Sequence, residues 1–260
     1  MTRINQTAGL IIALSLTAAG CGGSEKSLDG QWQIDQVADA AGALVQPVPE
    51  TSPFLLIDGE QISGTTGCNS FSGVADVGEG GSIDFGPLMS TLIGCDDARA
   101  SQEVNIHAAL NSADTWNVDG VSASLSSDGS VVMNLTLADT TLEGSTWSVT
   151  AINNGTGGVQ SVITGTDPWL SFGAVRALTG SGGCNELSGL YDADGDTLAV
   201  ERIAATKMLC GSPDGVMGQE MQMSDALSNS STYSILGDTL NIRDAEGATQ
   251  ITATRTTELP

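Results

Sequence analysis

The stretches SGTTGCNSFSG, spanning Ser63–Gly73, and TGSGGCNELSG, spanning Thr179–Gly189, set Gly-Cys-Asn in nearly the same glycine-rich frame twice in one chain. Outward from them the correspondence continues in order. Leu28-Asp29-Gly30 matches Leu142-Glu143-Gly144, Trp32 matches Trp147, and Thr91 matches Thr206. SQEVNIHAAL then matches GQEMQMSDAL, and TWNV matches TYSI. A collinear self-similarity at a shift of about 115 residues signals one duplicated unit rather than a short solenoid repeat. With 260 residues, 40% of them hydrophobic, the chain can bury two modest cores.

Each unit reads mainly as strands. QWQIDQV, FLLI, VMNLTL, TWSVTAI, WLSF, TLAV and TLNI are short apolar or alternating runs bounded by Gly, Asp, Asn or Pro, the pattern of antiparallel strands. Glycine, 33 residues in all, concentrates in the intervening turns, where positive φ is needed. NSFSGVADVGEGGSIDF and NELSGLYDADGDTLAV have the form of hairpins. One helix per unit is expected: Ile106, Ala109, Leu110 and Ala113 recur at helical spacing, and Met223, Ala226 and Leu227 repeat the first three places. The fold class is α+β, mainly β. Two tandem units each form a curved antiparallel sheet or partial barrel with one packed helix.

At the amino terminus Arg3 precedes the apolar run LIIALSLTAAG, Leu10–Gly20, and then Cys21. That run is too short for a membrane-spanning helix, which needs about 20 apolar residues, and has the layout of an export signal. LTAAGC resembles the lipobox of bacterial lipoproteins, in which the cysteine is acylated and becomes the first residue of the mature chain. The competing reading is an ordinary signal peptide with Cys21 a bystander. Two or more acyl chains anchor stably where one does not. Gly22 stands where the lipoprotein inner-membrane retention signal is an aspartate, which points to the outer membrane, facing the periplasm. The expected layout is a signal peptide at 1–20, a lipidated tether at 21–27, and units at 28–139 and 141–256.

The formal charge of -23 excludes nucleic acid as a partner, since phosphate binding needs a basic surface. It equally excludes docking through a basic patch on anionic lipid headgroups. Residues 28–140 carry 16 acidic side chains against Arg99 alone, and residues 141–260 carry 14 against five bases, so self-repulsion is greater in unit one.

With Cys21 assigned to lipid, four cysteines remain, and four allow three connectivities. Each unit owns a pair of nearly equal span, and export places them in an oxidising compartment. Cys68–Cys95 and Cys184–Cys210 are therefore read as disulfides. The rival reading, a metal or redox pair, lacks a Cys-x-x-Cys and has only His107 to add. Asp192, Asp194 and Asp196 invite calcium, but Thr197 and Ile203 stand where an EF-hand loop needs glycine and glutamate, and a solvated hairpin tip is the better reading. His107 has no repeated partner, its counterpart being Ser224. There is no Gly-x-Ser-x-Gly elbow and no phosphate loop. Met217, Met221 and Met223 form a soft apolar stripe, read as core packing. No catalytic residue, cofactor or metal set is assigned.

The order of LDGQW, GCNSFSG and TLIGC, repeated as LEGSTW, GCNELSG and TKMLC, resembles the META domain, also called HslJ-like. The likeness covers nearly all of the chain after Cys21. It departs from the family's pattern at Leu92-Ile93-Gly94, where a methionine is usual, and by one extra residue before Trp147. The resemblance implies small β-rich envelope proteins, some tied to heat shock and antibiotic tolerance, with no catalytic residues to carry over. One branch is similar to lipid-binding secretion pilots, which implies a groove between sheet and helix. The expected function is a non-catalytic envelope lipoprotein that supports envelope integrity or stress tolerance by binding another envelope component. The alternative is a lipid-binding or pilot-like carrier, with an unknown hydrolase behind both. The expected partners are the membrane, through acyl chains on Cys21, and an envelope protein or lipid.

Overall fold

The computed structural model of the chain describes residues 26–78 and 80–257. The signal peptide, Cys21 and most of the tether lie outside the described residues. Unit one runs β1 (Gly30–Ala38), β2 (Leu44–Val45), β3 (Phe54–Asp58), β4 (Gln61–Thr65), β5 (Ser70–Val77), β6 (Ile83–Phe85), β7 (Met89–Ser90), α1 (Asp97–Ser112), β8 (Thr115–Asp119), β9 (Ser122–Ser127) and β10 (Ser130–Leu137). Unit two runs β11 (Ser145–Asn153), β12 (Val159–Ser161), β13 (Trp169–Phe172), β14 (Ala177–Ser181), β15 (Glu186–Asp194), β16 (Thr197–Ala205), α2 (Val216–Ser228), β17 (Thr232–Leu236), β18 (Thr239–Arg243) and β19 (Thr249–Arg255).

All pairings are antiparallel, and both sheets close on themselves. In unit one the order is β6-β5-β4-β3-β1-β10-β9-β8. A bridge between Ser82 and Thr115, with Trp116 N donating to Gly81 O at 2.7 Å, joins the two ends. In unit two the order from β11 through β13 to β19 is closed by β11 pairing with β19. Closure removes the open edges that would invite pairing with other chains. Alternation explains the interiors: Trp32, Ile34, Leu55 and Ile57 point inward in unit one, and Trp147, Val149, Leu170 and Phe172 in unit two, all buried. Both Trp32 and Trp147 also satisfy their indole N–H, on Leu28 O and Ser145 Oγ at 2.7 Å each.

Helix α1 packs on β1, β9 and β6, which lie apart on the ring, so the helix covers one end of its barrel; α2 does the same on β11, β16 and β19. The apolar positions expected to face inward do so: Ile106, Ala109 and Leu110, and Met223, Ala226 and Leu227, are all buried. Helix α1 begins at Asp97, ahead of Gln102 and Glu103. Asp96 caps it, accepting from Arg99 N at 3.0 Å, and that bond holds the Asp96 carboxyl below its usual range. Among the described residues, no helix is long and apolar enough to cross a membrane.

A joint links the two units. Gln31, buried on β1, sets its amide against Ile235 O and Gly237 N; with its nitrogen turned to the carbonyl it donates to Ile235 O at 3.2 Å and accepts from Gly237 N at 3.0 Å. Ser52 Oγ donates to Asp238 Oδ2 beside it. Gly237 has φ +58, and a Cβ there would stand 3.0 Å from Phe54 Cδ1, so only glycine lets this turn seat against the ring. Arg255, stacked over Trp147 at 4.5 Å, donates to Asp139 O at 2.9 Å. Expressed separately, residues 28–139 and 141–260 are expected to melt cooperatively, each having its own core. Unit two should melt at lower temperature than within the whole chain, because its β17–β18 turn loses these partners. Calorimetry of the two fragments and the parent checks this; identical transitions would show that the joint stabilises nothing.

Tyr191 supplies a pH handle on unit two. Its ring meets Phe172 edge-on at 5.1 Å and its hydroxyl donates to Gly173 O at 3.0 Å. Burial, with Glu143 and Tyr233 nearby, pushes its pKa up. A raised folded pKa means the neutral phenol's stabilising effect is complete below the ordinary value of about 10 and is lost as pH climbs through the folded value. Tyr191→Phe should therefore cost about 1 kcal/mol at neutral pH and flatten the alkaline loss of stability. Denaturant melts at neutral and strongly alkaline pH check the difference.

Candidate functional site

Each letter of Gly-Cys-Asn has a separate structural duty, and the duties are the same in both units. The motif forms the turn between β4 and β5, and between β14 and β15, at the end covered by the helix. Gly67 and Gly183 have φ of +87 and +113, and a Cβ would press on Gln102 Nε2 at 2.8 Å and Gln219 Nε2 at 3.1 Å. Glycine is needed there for the backbone and for the glutamine behind it.

Those glutamines tie helix to sheet. Gln102 Nε2 donates to Thr66 O at 2.6 Å and Thr51 Oγ1 at 3.1 Å, while its Oε1 accepts from Val48 N at 2.5 Å. Gln219 donates to Gly182 O at 2.8 Å and Thr166 Oγ1 at 3.1 Å, and accepts from Ile163 N at 2.7 Å. Both are buried with every polar atom of the amide used, the condition under which a buried polar group is tolerated.

The asparagine is the hub. Asn69 Oδ1 accepts from Thr91 Oγ1 at 2.8 Å and Ile93 N at 2.7 Å; its Nδ2 donates to Ile93 O at 3.2 Å and Glu103 Oε2 at 2.9 Å. Asn185 Oδ1 accepts from Thr206 Oγ1 and Met208 N, both at 2.7 Å, and its Nδ2 reaches Met208 O at 3.1 Å and Glu220 Oε2 at 2.7 Å. Glu220 additionally accepts from Cys184 N at 3.0 Å and from Asn185 N. Each asparagine thus joins the turn, the Thr-x-x-x-Cys loop and the helix glutamate. The cysteines close the same loop: Cys68 is bonded to Cys95 and Cys184 to Cys210, with Cα separations of 6.3 and 6.2 Å, inside the usual disulfide range.

What this scaffold holds outward is apolar. Leu92 is 96% exposed and Ile93 63% in unit one; Met208 is 56% and Leu209 94% in unit two. The residues after the two helix glutamates, Val104 and Met221, are each 66% exposed. Met217, Met221 and Met223 are accordingly not one packed stripe. Met223 is core, Met221 faces solvent and Met217 lies between, because their spacing spreads them round α2.

The weaker chemical candidates resolve as follows. Among the described residues, the one group with metal-ligand spacing is Cys68, Cys95 and Glu103, and its two sulfurs are bonded to each other. Asp192, Asp194 and Asp196 do not converge; Asp192 instead pairs with Arg176 Nη2 at 3.1 Å. His107 has neighbours that sequence reasoning missed: its Nε2 is 3.3 Å from Ser90 Oγ and 3.9 Å from Glu103 Oε1. Both meet the same ring nitrogen, whereas a serine relay needs the acid on the other one. Ile106, Leu110, Met223 and Leu227 are buried where each helix meets its sheet. A cleft of about 320 Å³ beside α2 is lined mostly by amides and carboxylates, among them Asn153, Gln222, Asp225 and Gln250.

The META domain family model matches residues 26–139 and again residues 140–257, and the chain belongs to that family as a tandem pair. Among solved structures, an NMR structure of a protein from Burkholderia xenovorans is similar at 20% identity, over 45% of this chain and 85% of that one, with a TM-score of 0.38. A second NMR structure is 22% identical over 44% and 90%, with a TM-score of 0.35. The crystal structure of a DUF4847 family protein from Bacteroides vulgatus is 18% identical over 45% and 96%, with a TM-score of 0.31. No curated protein matches.

Proposed function

We propose that the chain is a non-catalytic lipoprotein of the cell envelope, anchored through acylated Cys21 in the outer membrane and facing the periplasm. It supports envelope integrity or stress tolerance by binding another envelope protein. The observation that carries this reading is the use made of the family motif. Asn69, Asn185, both glutamines and all four cysteines of the two units are spent on building the scaffold, and what the scaffold presents is a pinned pair of bare apolar side chains in each unit. Fixed apolar groups at a solvent face serve recognition better than chemistry. A chain at -23 selects partners whose rim around an apolar pocket is basic.

A photo-crosslinking residue at Leu92 or Leu209, in intact cells, should give a discrete adduct with one envelope protein. The same residue at Val121, an apolar site 63% exposed on the β8–β9 turn, should not. The adduct should weaken with Cys21→Ser as the protein leaves the membrane fraction. Adducts from Val121 alone, or from none of the three, would overturn the assignment of these loops.

A further inference from the structure

The two Gly-Cys-Asn turns differ in what the helix sets behind their cysteines. In unit two the helix glutamate is fully used: Glu220 Oε1 accepts from Cys184 N and Asn185 N, and Oε2 accepts from Asn185 Nδ2. In unit one Glu103 Oε2 takes the same bond from Asn69 Nδ2 at 2.9 Å, but its Oε1 is turned to His107 Nε2, 3.9 Å away. The residue at the place of His107 on α2 is Ser224. Only unit one therefore has an imidazole here.

Glu103 and His107, at i and i+4, share one face of α1, and Cys68 and Cys95 meet that face from the turn and from the loop. A carboxylate oxygen of Glu103 and the two sulfurs lie within 4.8 Å of one another. Zinc bonds are about 2.3 Å to sulfur and about 2.0–2.2 Å to nitrogen or oxygen, so the ligands of a tetrahedral ion stand about 3–4 Å apart. The group is within about 1 Å of that span, and the distance from carboxylate to imidazole already fits it. The site is also sheltered, the Glu103 side chain being 19% exposed and that of His107 23%. Asn69 Nδ2 lies 3.5 Å from Cys68 Sγ and 4.0 Å from Cys95 Sγ, placed to steady a thiolate from outside the ligand set. The same asparagine grips the loop through Ile93 N and O. That grip does not need the bridge, so the ligands stay together once it opens.

In the oxidised chain the two sulfurs are bonded to each other and hold no ion. We propose that reduction of Cys68–Cys95 turns this corner of unit one into a zinc site, with Cys68, Cys95, Glu103 and His107 as its ligands. A dithiol reductant gives two electrons to the disulfide and leaves as a disulfide itself. The two thiols then lose their protons to solvent as the thiolates take the ion. Two thiolates and an imidazole select zinc over magnesium or calcium. Unit two, with its glutamate engaged and no imidazole, does not form the site. The site stands independently of what the apolar loops bind.

The test uses the full chain carrying Cys21→Ser, so that the two pairs supply the only thiols. It is reduced with a phosphine, desalted without oxygen and titrated with Co2+, whose thiolate charge-transfer and tetrahedral d–d bands report the ligands. The reduced chain should bind a single ion with both sets of bands and release it to Zn2+, and the oxidised chain should show neither. Glu103→Gln, which can still accept from Asn69, and His107→Ser, which installs the residue of unit two, should each weaken binding at least about tenfold. Cys68→Ser with Cys95→Ser should abolish the bands, and Cys184→Ser with Cys210→Ser should leave them unchanged. Zn2+ should also raise the melting temperature of the reduced chain and not that of the oxidised chain, a second readout for any variant that loosens unit one. No bands from the reduced chain, equal binding by the oxidised chain, bands that survive without Cys68 and Cys95, or affinity undiminished in Glu103→Gln or His107→Ser would each overturn the proposal.

Discussion

Asn185→Ala is expected to lower the stability of unit two by about 3 kcal/mol, with a melting temperature about 10 °C lower. Four side-chain hydrogen bonds disappear together, one of them to the carboxylate of Glu220. A neutral bond contributes about 1 kcal/mol and a bond to a charged group about 1.5–3 kcal/mol, less where water can enter, as it can at the exposed Met208 loop. Asn69→Ala should act alike on unit one, through Thr91, Ile93 and Glu103. The more telling change is Asn185→Asp. It keeps the shape but sets a second carboxylate against Glu220, and two carboxylates at hydrogen-bond distance cannot both ionise cheaply. That variant should be the less stable of the two at neutral pH and recover on acidification, when one carboxyl takes a proton and donates to the other. Urea melts across pH check it. If the aspartate variant shows no acid recovery, Glu220 does not hold the asparagine as argued.

What the sequence made legible was whatever repeats or alternates. The strands at Trp169–Phe172 and Thr239–Arg243 follow from apolar residues two apart, and the helices from Ile106, Ala109 and Leu110 and their counterparts. Closure of each sheet into a ring was not legible. In unit one it rests on the Ser82–Thr115 bridge and a few hydrogen bonds from turn backbone, which leave no periodic trace. The joint was hidden for a related reason: Gln31 and Ser52 meet Ile235, Gly237 and Asp238 across the duplication, where neither copy predicts the other. The repeat did locate the Gly-Cys-Asn turn, but the roles of its glycine and asparagine appear only once the helix's Gln-Glu pair is brought over it.

Removing the disulfide from each unit should have unequal consequences, because the two units differ in charge more than in fold. The bonded cysteines are 27 and 26 residues apart, so each closure contributes roughly 3 to 4 kcal/mol by limiting the unfolded chain. That is a large part of a domain stability of about 5–15 kcal/mol. The loop between Thr91 and Cys95 keeps its asparagine clamp in the absence of the bridge, so Cys68→Ser with Cys95→Ser should leave a foldable but weakened unit one. Its 16 acids face Arg99 alone, whereas unit two sets five bases among 14 acids and pairs Arg176 with Asp192. Repulsion among those charges expands the chain most when screening is weak, the Debye length growing from about 10 Å at 0.1 M to about 30 Å at 0.01 M salt. The bridge-free unit one should therefore lose much of its remaining stability on going to low salt. The corresponding change at Cys184 and Cys210 should cost unit two a similar closure contribution with a shallower salt slope. Thermal melts of the full-length double variants over that salt range resolve the two effects, each followed in its own unit. Equal salt slopes would show that acidic repulsion is not what the bridges oppose.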